Sequence, residues 1–344
     1  MFSCFTFSWI GLLSAGVLSA SPVSVRSPDG EVSVSFEIRD GQLNYQILEE
    51  GRELVAPSRI EIVTGAKMVM RHHSLETVDR SWKPVWGQFS QIRDHHRELT
   101  LSLTAGGMPV DLKCRIFDEG LGFRFVMSDD SKGKSLTFTN ELRLPEEDGF
   151  YIPRGERGVD GPLNRRNIRR VSAPLVLERE NGSVGAWIES DLYSAQGFDA
   201  MNLQYLPKVR RFQASSSAVS SGASQVTPWR VTLWGDQIGD LMLNPVALNL
   251  AAPCALEDTS WIQPGKGLWD WRVHGYDNGD FVYGIDTRSY RRFIDSCAEL
   301  GIEYFTVDDH WFTSAKDGKM EISPDVDIEE VMAYAERKGV KIKL

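Results

Sequence analysis

The feature that most constrains this chain is a two-residue alternation of apolar and polar side chains from Val23 to about Asn249. Val32, Val34 and Phe36 alternate with polar residues, and the turn Asp40-Gly41 follows. Period two is typical of a strand with one buried face. The pattern recurs, bounded by turn residues, at Arg97–Leu103, Val110–Phe117, Gly122–Met127 and Ser135–Leu142. Such even spacing predicts a large antiparallel β-sandwich.

Three stretches depart from this pattern. Gly155–Arg170 is rich in Arg and Gly and is predicted to be a long loop or flap. Ser215–Ser224 is rich in Ser, Ala and Gly and is predicted to be a flexible excursion. Asp236–Leu250 has a helical pattern.

After Gln263 the period changes to that of alternating strands and helices. Helices are predicted from the N-cap Asp286 to Gly301 and from the N-cap Asp327 to Gly339. Apolar strands precede, separate and follow them. Such β-α-β units build a parallel sheet, and an eight-stranded barrel needs roughly 250 residues. The fold class is therefore mixed: an antiparallel β-super-sandwich at 23–262, then the first βα units of a (β/α)8 barrel at 263–344, predicted to be truncated.

Aromatic and acidic residues follow the first two strands of this second domain. Trp269, Asp270 and Trp271 end the first strand, and Asp308 and Asp309 come after the second. The carboxyl ends of parallel strands face the ligand. Tryptophan rings stack on sugar faces, and carboxylates bond hydroxyl groups. We predict substrate binding by Trp269, Trp271, Asp308 and Asp309; the spacing of the two tryptophans places them on one strand face, where core packing is the alternative for one of them.

The amino terminus resembles an export signal. Phe5–Leu18 is almost wholly apolar or small, and Leu18-Ser19-Ala20 is a small-residue cleavage site, although no Lys or Arg precedes Arg26. A membrane span is the alternative, but the run is shorter than the roughly 20 residues a span needs. We predict a signal peptide at 1–20 and an exported protein, periplasmic or extracellular, with no stable membrane span.

The net charge and the cysteine spacing limit the classes of ligand and partner that the chain is expected to bind. A net charge of -10 argues against a nucleic-acid surface. Cys114, Cys254 and Cys297 lack metal-ligand spacing and are predicted to be buried thiols, with a Cys114–Cys254 disulfide as the open alternative.

The chain resembles glycoside hydrolase family 97, the α-glucosidase and α-galactosidase family. The resemblance rests on the order and spacing of many short motifs: Ser27–Gly30, Trp82–Gly87, Ile92–His95, Phe123–Phe125, Trp187–Leu192, Thr227–Arg230, Leu248–Ala251, Glu257–Ile262, Pro264–Lys266 and Trp269–Trp271. It implies a β-super-sandwich packed on a (β/α)8 barrel, an oligosaccharide or glycoside substrate, and Ca²⁺ in the active site.

The resemblance also implies roles for particular residues. Glu189 matches a glutamate of the sandwich domain that binds the calcium ion. Trp269 and Trp271 match the aromatic residues that line the end of the first barrel strand. The family's general acid and its base or nucleophile belong to later strands, so no catalytic residue is assigned and the chain is predicted to be inactive alone. The sequence departs from the family at Arg272-Val273-His274 and at His310, which leaves substrate preference open.

Two rival functions remain. One is a non-catalytic carbohydrate-binding sandwich with a remnant of a second domain. The other is a mutarotase-like enzyme, which would need a His/Glu pair on the sandwich, with His95 or His96 as its histidine.

Overall fold

The computed structural model describes residues 21–144, 149–222 and 225–344. The chain divides into two compact units between Ala255 and Leu256. The predicted signal peptide at 1–20 lies outside the described residues. Within them, no helix has both the length and the apolar composition needed to cross a bilayer.

The described part of the first unit is built almost entirely from strands. In chain order these are β1 Val23–Arg26, β2 Val32–Arg39, β3 Gln42–Glu49, β4 Arg52–Glu61, β5 Met68–Trp82, β6 Ile92–Ala105, β7 Met108–Phe117, β8 Gly120–Met127, β9 Ser135–Leu142, β10 Gly149–Pro153, β11 Val159–Leu163, β12 Leu175–Glu178, β13 Val184–Ser190, β14 Asn202–Leu206, β15 Arg211–Val219 and β16 Trp229–Gly235.

These strands form two antiparallel sheets. The seven-stranded sheet has the order β1-β2-β3-β4-β9-β15-β14, and the nine-stranded sheet has the order β11-β10-β12-β13-β16-β8-β7-β6-β5. One apolar core contains inward-facing side chains of both sheets, among them Phe36, Phe123 and Phe138. The hydroxyl of Tyr45 donates to the carbonyl of Glu141 at 2.6 Å within this core. The predicted β-sandwich is therefore confirmed.

A smaller apolar cluster covers part of the nine-stranded sheet. Two short helices, α1 Ile238–Met242 and α2 Val246–Leu250, follow β16. Val246 and Leu250 pack there with Trp229 and Val231. A Cβ atom on Gly122 would lie 2.4 Å from a methyl carbon of Leu250, so α2 approaches the sheet closely only because residue 122 is glycine.

The second unit begins a parallel β/α architecture. Its elements are β17 Gly267–Trp269, α3 Thr287–Leu300, β18 Tyr304–Thr306, β19 Phe312–Lys316, β20 Lys319–Ile322, α4 Ile328–Lys338 and β21 Lys341–Lys343. Strands β17, β18 and β21 form a parallel sheet in that order. Both predicted helices start and end where the caps indicated: Asp286 and Asp327 accept hydrogen bonds from the first turn, and Gly301 and Gly339 are left-handed.

Several local predictions were wrong. Gly155–Arg170 contains β11 and a short 3₁₀ helix at Arg165–Asn167, capped by the side chain of Asn164. Ser215–Val219 is part of β15, paired along its length with β9, whereas residues 223–224 lie outside the described residues. The helical stretch at 236–250 is two helices, separated by Leu243-Asn244-Pro245. Cys114 and Cys297 are buried free thiols as predicted, but Cys254 is free and exposed.

Candidate functional site

The predicted sugar-binding residues lie at, or just after, the carboxyl ends of β17 and β18, two neighbouring strands of the parallel sheet. Trp269 ends β17 and pairs in register with Thr306 at the end of β18. Because these strands are parallel, the residues that follow them emerge at the same edge. We call Trp269, Asp270, Trp271, His274, Asp308, Asp309 and His310 the strand-tip cluster.

Asp270 connects the two strand ends. It is fully buried, and its Oδ1 accepts a 3.0 Å hydrogen bond from the backbone N–H of Asp308. Its Oδ2 lies 2.9 Å from Nε2 of His274. One carboxylate therefore holds the chain after β18 and orients an imidazole after β17. We did not assign Asp270 a role from the sequence, although an acid between two tryptophans at a strand end was the available signal.

The two tryptophans are placed differently from our expectation. Strand β17 ends at Trp269, and a 3₁₀ helix begins at Trp271, so the two rings do not share one strand face. Both rings are partly open, with 43% of Trp269 and 41% of Trp271 exposed.

Each tryptophan ring has a cationic or aromatic neighbour. The Trp271 ring stacks on His310 with 6.2 Å between ring centroids, and it forms a T-shaped contact with His274 at 5.9 Å. The guanidinium of Arg272 lies 5.6 Å from the centroid of the Trp269 ring. These contacts restrict the orientation of both rings while leaving part of each accessible to a ligand.

The two acids after β18 first stabilise their own turn. Oδ1 of Asp308 accepts from the N–H of Asp309, and Oδ1 of Asp309 accepts from the N–H of His310, both at 2.7 Å. His310 itself has a left-handed backbone with φ of 71°. The side chain of Asp309 is 58% exposed, so it is the more accessible of the two to a ligand hydroxyl.

Tyr290, on α3, is within the electrostatic reach of Asp270. Burial raises the pKa of its phenol, and the negative charges of Asp270 and Asp286 act in the same direction. Its hydroxyl is buried and has no hydrogen-bond partner among the described residues. Tyr290 is therefore a neutral core residue that packs against Phe305 of β18.

Glu189, the predicted calcium ligand, lies on β13 of the first unit, directly opposite Arg230 on β16. Nη1 of Arg230 donates to Oε2 of Glu189. Arg230 is fully buried; its Nη2 donates to Oγ of Ser216 at 2.9 Å, and its guanidinium lies 4.8 Å from the ring centroid of Phe138. Burial lowers the pKa of Arg230 to about 10, although the negative charge of Glu189 acts to raise this pKa. Sequence reasoning missed Arg230 because its role depends on the strand register.

The surroundings of Glu189 do not fit a calcium ion on their own. Calcium takes six to eight oxygen ligands. Asp191, two residues along, is already engaged: its carboxylate accepts from Arg124, from Ser194 and from the backbone N–H of Ala252. Across the described ranges, no three His, Cys, Asp or Glu side chains are grouped as a metal site. Glu189 would supply one ligand of such a site.

The two histidines considered for a mutarotase-like site differ. His96 is buried, and its Nδ1 lies 2.6 Å from Oδ1 of Asp94, whose other oxygen accepts from Arg80. This arrangement is that of a structural core histidine. His95 lines a shallow cleft of about 270 Å³ that also contains Glu119.

An antiparallel sandwich is followed by parallel β/α units whose strand ends carry tryptophans and carboxylates, the side-chain types that carbohydrate-binding sites use. Residues 25–253 match the profile of the glycosyl-hydrolase 97 N-terminal domain, and residues 269–344 match that of glycoside hydrolase 97. The chain belongs to glycoside hydrolase family 97.

Curated relatives are similar to this chain over nearly all of its length. A retaining alpha-galactosidase of Bacteroides thetaiotaomicron is 25% identical over 93% of the chain and 55% of its own length. A probable retaining alpha-galactosidase of Streptomyces bingchenggensis is also 25% identical, over 91% of the chain and 50% of its own length. The chain thus spans about half the length of these relatives.

Solved structures confirm the fold. A family 97 enzyme from a Pseudoalteromonas species, in complex with acarbose, superimposes with a TM-score of 0.77 at 23% identity, covering 93% of this chain and 53% of that one. A β-arabinopyranosidase superimposes with a TM-score of 0.76 at 17% identity, covering 93% of this chain and 55% of that one. The predicted family and fold class are both confirmed.

Proposed function

We propose that this chain supplies the sandwich and the first substrate-binding strand ends of a glycoside hydrolase that cleaves α-galactosidic or α-glucosidic bonds. The observation that carries this proposal is the strand-tip cluster: partly open tryptophan rings beside carboxylates, at the edge of a parallel sheet, in a chain of family 97. The two curated relatives described above are named as α-galactosidases, which supports the same bond type.

The residues of the strand-tip cluster have different roles in this proposed binding. Trp269 and Trp271 offer apolar ring surface on which a pyranose can stack. Asp309, with its exposed carboxylate, accepts hydrogen bonds from sugar hydroxyls. Asp308 accepts from a further hydroxyl while its Oδ1 also accepts from the backbone N–H of Asp309. Asp270 contacts no ligand in this proposal; it positions the two strand ends relative to each other.

Glu189 is proposed as one ligand of a calcium ion. Arg230 already donates to Oε2 of this carboxylate, and the carboxylate would supply negative charge and oxygen to the ion. The remaining oxygens would come from residues other than those gathered around Glu189 here.

Bond cleavage needs a pair of carboxyl groups, roughly 5–5.5 Å apart in a retaining enzyme and 6.5–9.5 Å in an inverting one. The resemblance assigns that pair to later barrel strands. We therefore expect the purified 344-residue chain to release no p-nitrophenol from p-nitrophenyl α-galactoside or α-glucoside above a mock preparation.

A chimera tests the proposal directly. Residues 1–344 would be continued by the remaining barrel of the Bacteroides thetaiotaomicron relative and assayed on both substrates. We expect hydrolysis that falls at least about tenfold in Trp271→Ala, because stacking surface is lost. Turnover by the 344-residue chain alone, or a folded chimera inactive on both substrates, would refute the proposal.

A further inference from the structure

A second cleft lies in the first unit, away from the strand-tip cluster in sequence. It has a volume of about 850 Å³ and is formed by β10, β11 and the segment that follows β11. Part of its wall is apolar, from Ile152, Leu163 and Val171. The rest is dominated by guanidinium groups, from Arg154, Arg157, Arg169 and Arg170. We call this the arginine cleft.

The arginine side chains of the cleft differ in whether they already form hydrogen bonds or ion pairs within the protein. Arg154 pairs with Asp160 at 3.0 Å, and Nη1 of Arg169 donates to the carbonyl of Arg166 at 2.7 Å. Arg157 and Arg170 are exposed, and their side chains have no hydrogen bond or ion pair within the ranges that the structure describes. The guanidinium groups of these two residues are therefore available to a ligand.

The charge of the cleft is opposite to that of the whole chain. Four arginines and one carboxylate, Asp160, line it, which gives a local balance of 4 − 1 = +3, with Glu156 nearby outside the lining. The whole chain carries -10. A guanidinium fork matches carboxylate and sulfate groups, with two parallel hydrogen bonds. The volume lies within the range of roughly 300–1,000 Å³ that small-molecule sites occupy.

We propose that the arginine cleft binds an anionic oligosaccharide, one whose sugar rings carry carboxylate or sulfate groups. Arg157 and Arg170 bind the anionic groups, and the apolar wall accommodates the faces of the rings. The choice of a carbohydrate over other anions rests on the proposed function, since the chain belongs to a glycoside hydrolase family.

Titration calorimetry on the 344-residue chain tests this. The probes are a galacturonate tetrasaccharide, a sulfated galactan tetrasaccharide, neutral maltotetraose and a short single-stranded oligonucleotide. Comparing the galacturonate with the sulfated tetrasaccharide shows whether the cleft prefers carboxylate or sulfate groups. Binding of either one supports the proposal. We expect maltotetraose and the oligonucleotide to bind at least about tenfold more weakly than the better of the two.

Variants locate the binding. We expect Arg157→Gln/Arg170→Gln to weaken binding of the anionic tetrasaccharide at least about tenfold, because two charge-assisted contacts are lost. The matched control is Arg71→Gln/Arg166→Gln, which removes the same charge from exposed residues outside the lining and should change affinity little. Arg157→Lys/Arg170→Lys keeps the charge but removes the forks, so an intermediate loss is expected; it also serves if the glutamine pair fails to fold.

Four results would overturn the proposal: no binding of either anionic tetrasaccharide, equal binding of maltotetraose, equal binding of the oligonucleotide, or an equal loss in the control pair. These titrations involve no bond cleavage, so an inactive chimera would leave their outcome unchanged.

Discussion

Asp270 makes the two strand ends of the second unit depend on one buried carboxylate. Its oxygens serve the backbone N–H of Asp308 and the ring of His274, and no water competes for them because the side chain is fully buried. Removing the hydrogen-bond partner of a buried polar group lowers the free energy of unfolding more than removing the partner of an exposed group does.

We predict that Asp270→Ala destabilises the second unit by about 1–3 kcal/mol, since the N–H of Asp308 loses its acceptor. Hydrogen exchange at Asp308 should rise, and urea unfolding of the second unit should shift to lower denaturant. The control is Glu299→Ala, which alters an exposed acid near the end of α3 and should change stability by less than about 0.5 kcal/mol. Equal effects of the two substitutions would contradict this.

Calcium should bind the 344-residue chain only weakly, with a dissociation constant of about 1 mM or more, because few carboxylates are gathered at one point. Calorimetry on this chain and on the chimera separates the cases. In the chimera we expect tighter binding that is lost with Glu189→Gln, while Glu299→Gln, on the exposed side of α3, changes nothing. Tight binding by the 344-residue chain that survives Glu189→Gln would show that the metal assignment is wrong.

At the residue scale, the sequence located the strand-end residues but not the contacts among them. Tryptophans and acids after apolar strands are visible in the sequence. The roles of Asp270 and Arg230 are not, because each depends on a partner across a strand pair whose register no local pattern specifies.

Among single elements, β6 and β7 share a buried charge cluster. Glu98 accepts from Lys113 at 2.7 Å and from Arg115 at 2.6 Å. Burial acts to raise the pKa of Glu98, but the hydrogen bonds and charges of Lys113 and Arg115 outweigh it and hold this pKa below its usual value. A depressed carboxyl pKa stabilises the fold above the unfolded-state value, and this contribution is lost as pH falls through the folded-state value.

We predict that Glu98→Gln lowers the free energy of unfolding near pH 7 by about 1–3 kcal/mol, and that the difference from the parent disappears as pH falls through the depressed pKa of Glu98. Urea unfolding as a function of pH measures this. Glu180→Gln, an exposed acid in the turn after β12, is the control and should have little effect at any pH. A difference that stays constant into strong acid would exclude the electrostatic explanation.

Elements with strong local signals were predicted well, and elements fixed by distant contacts were not. The caps of α3 and α4 were visible in the sequence, but the burial of each apolar side chain was not: Leu300 of α3 and Met332 of α4 are 68% and 46% exposed. The hairpin of β19 and β20 was missed, although its turn Asp317-Gly318 has the positive φ angles typical of a tight hairpin. Its strands are mostly polar and exposed, so no alternation indicated them.

At the scale of the whole chain, the sandwich could be predicted but its strand order could not. β9 pairs with β4 and β15, strands that lie far from it in sequence, because the closure of the sheet depends on long-range packing.

We predict that limited proteolysis cuts first in Leu256–Lys266, which has no regular secondary structure and exposes Leu256 and Trp261. Cleavage should leave a resistant fragment containing the sandwich, which has the larger core, while the second unit is degraded faster. Mass spectrometry of the fragments identifies the first cut. A first cut within the described strands of the sandwich, or full resistance of the chain, would contradict this prediction.

The bond from Asp270 to Asp308 also limits how this site can be re-engineered. Two loops that share one buried acceptor are not independent modules, so substitutions in one are expected to be non-additive with substitutions in the other. A designer who transplants only the loop after β17 from another enzyme would leave the loop after β18 without its anchor. New specificity at this edge therefore has to be built by exchanging both loops together.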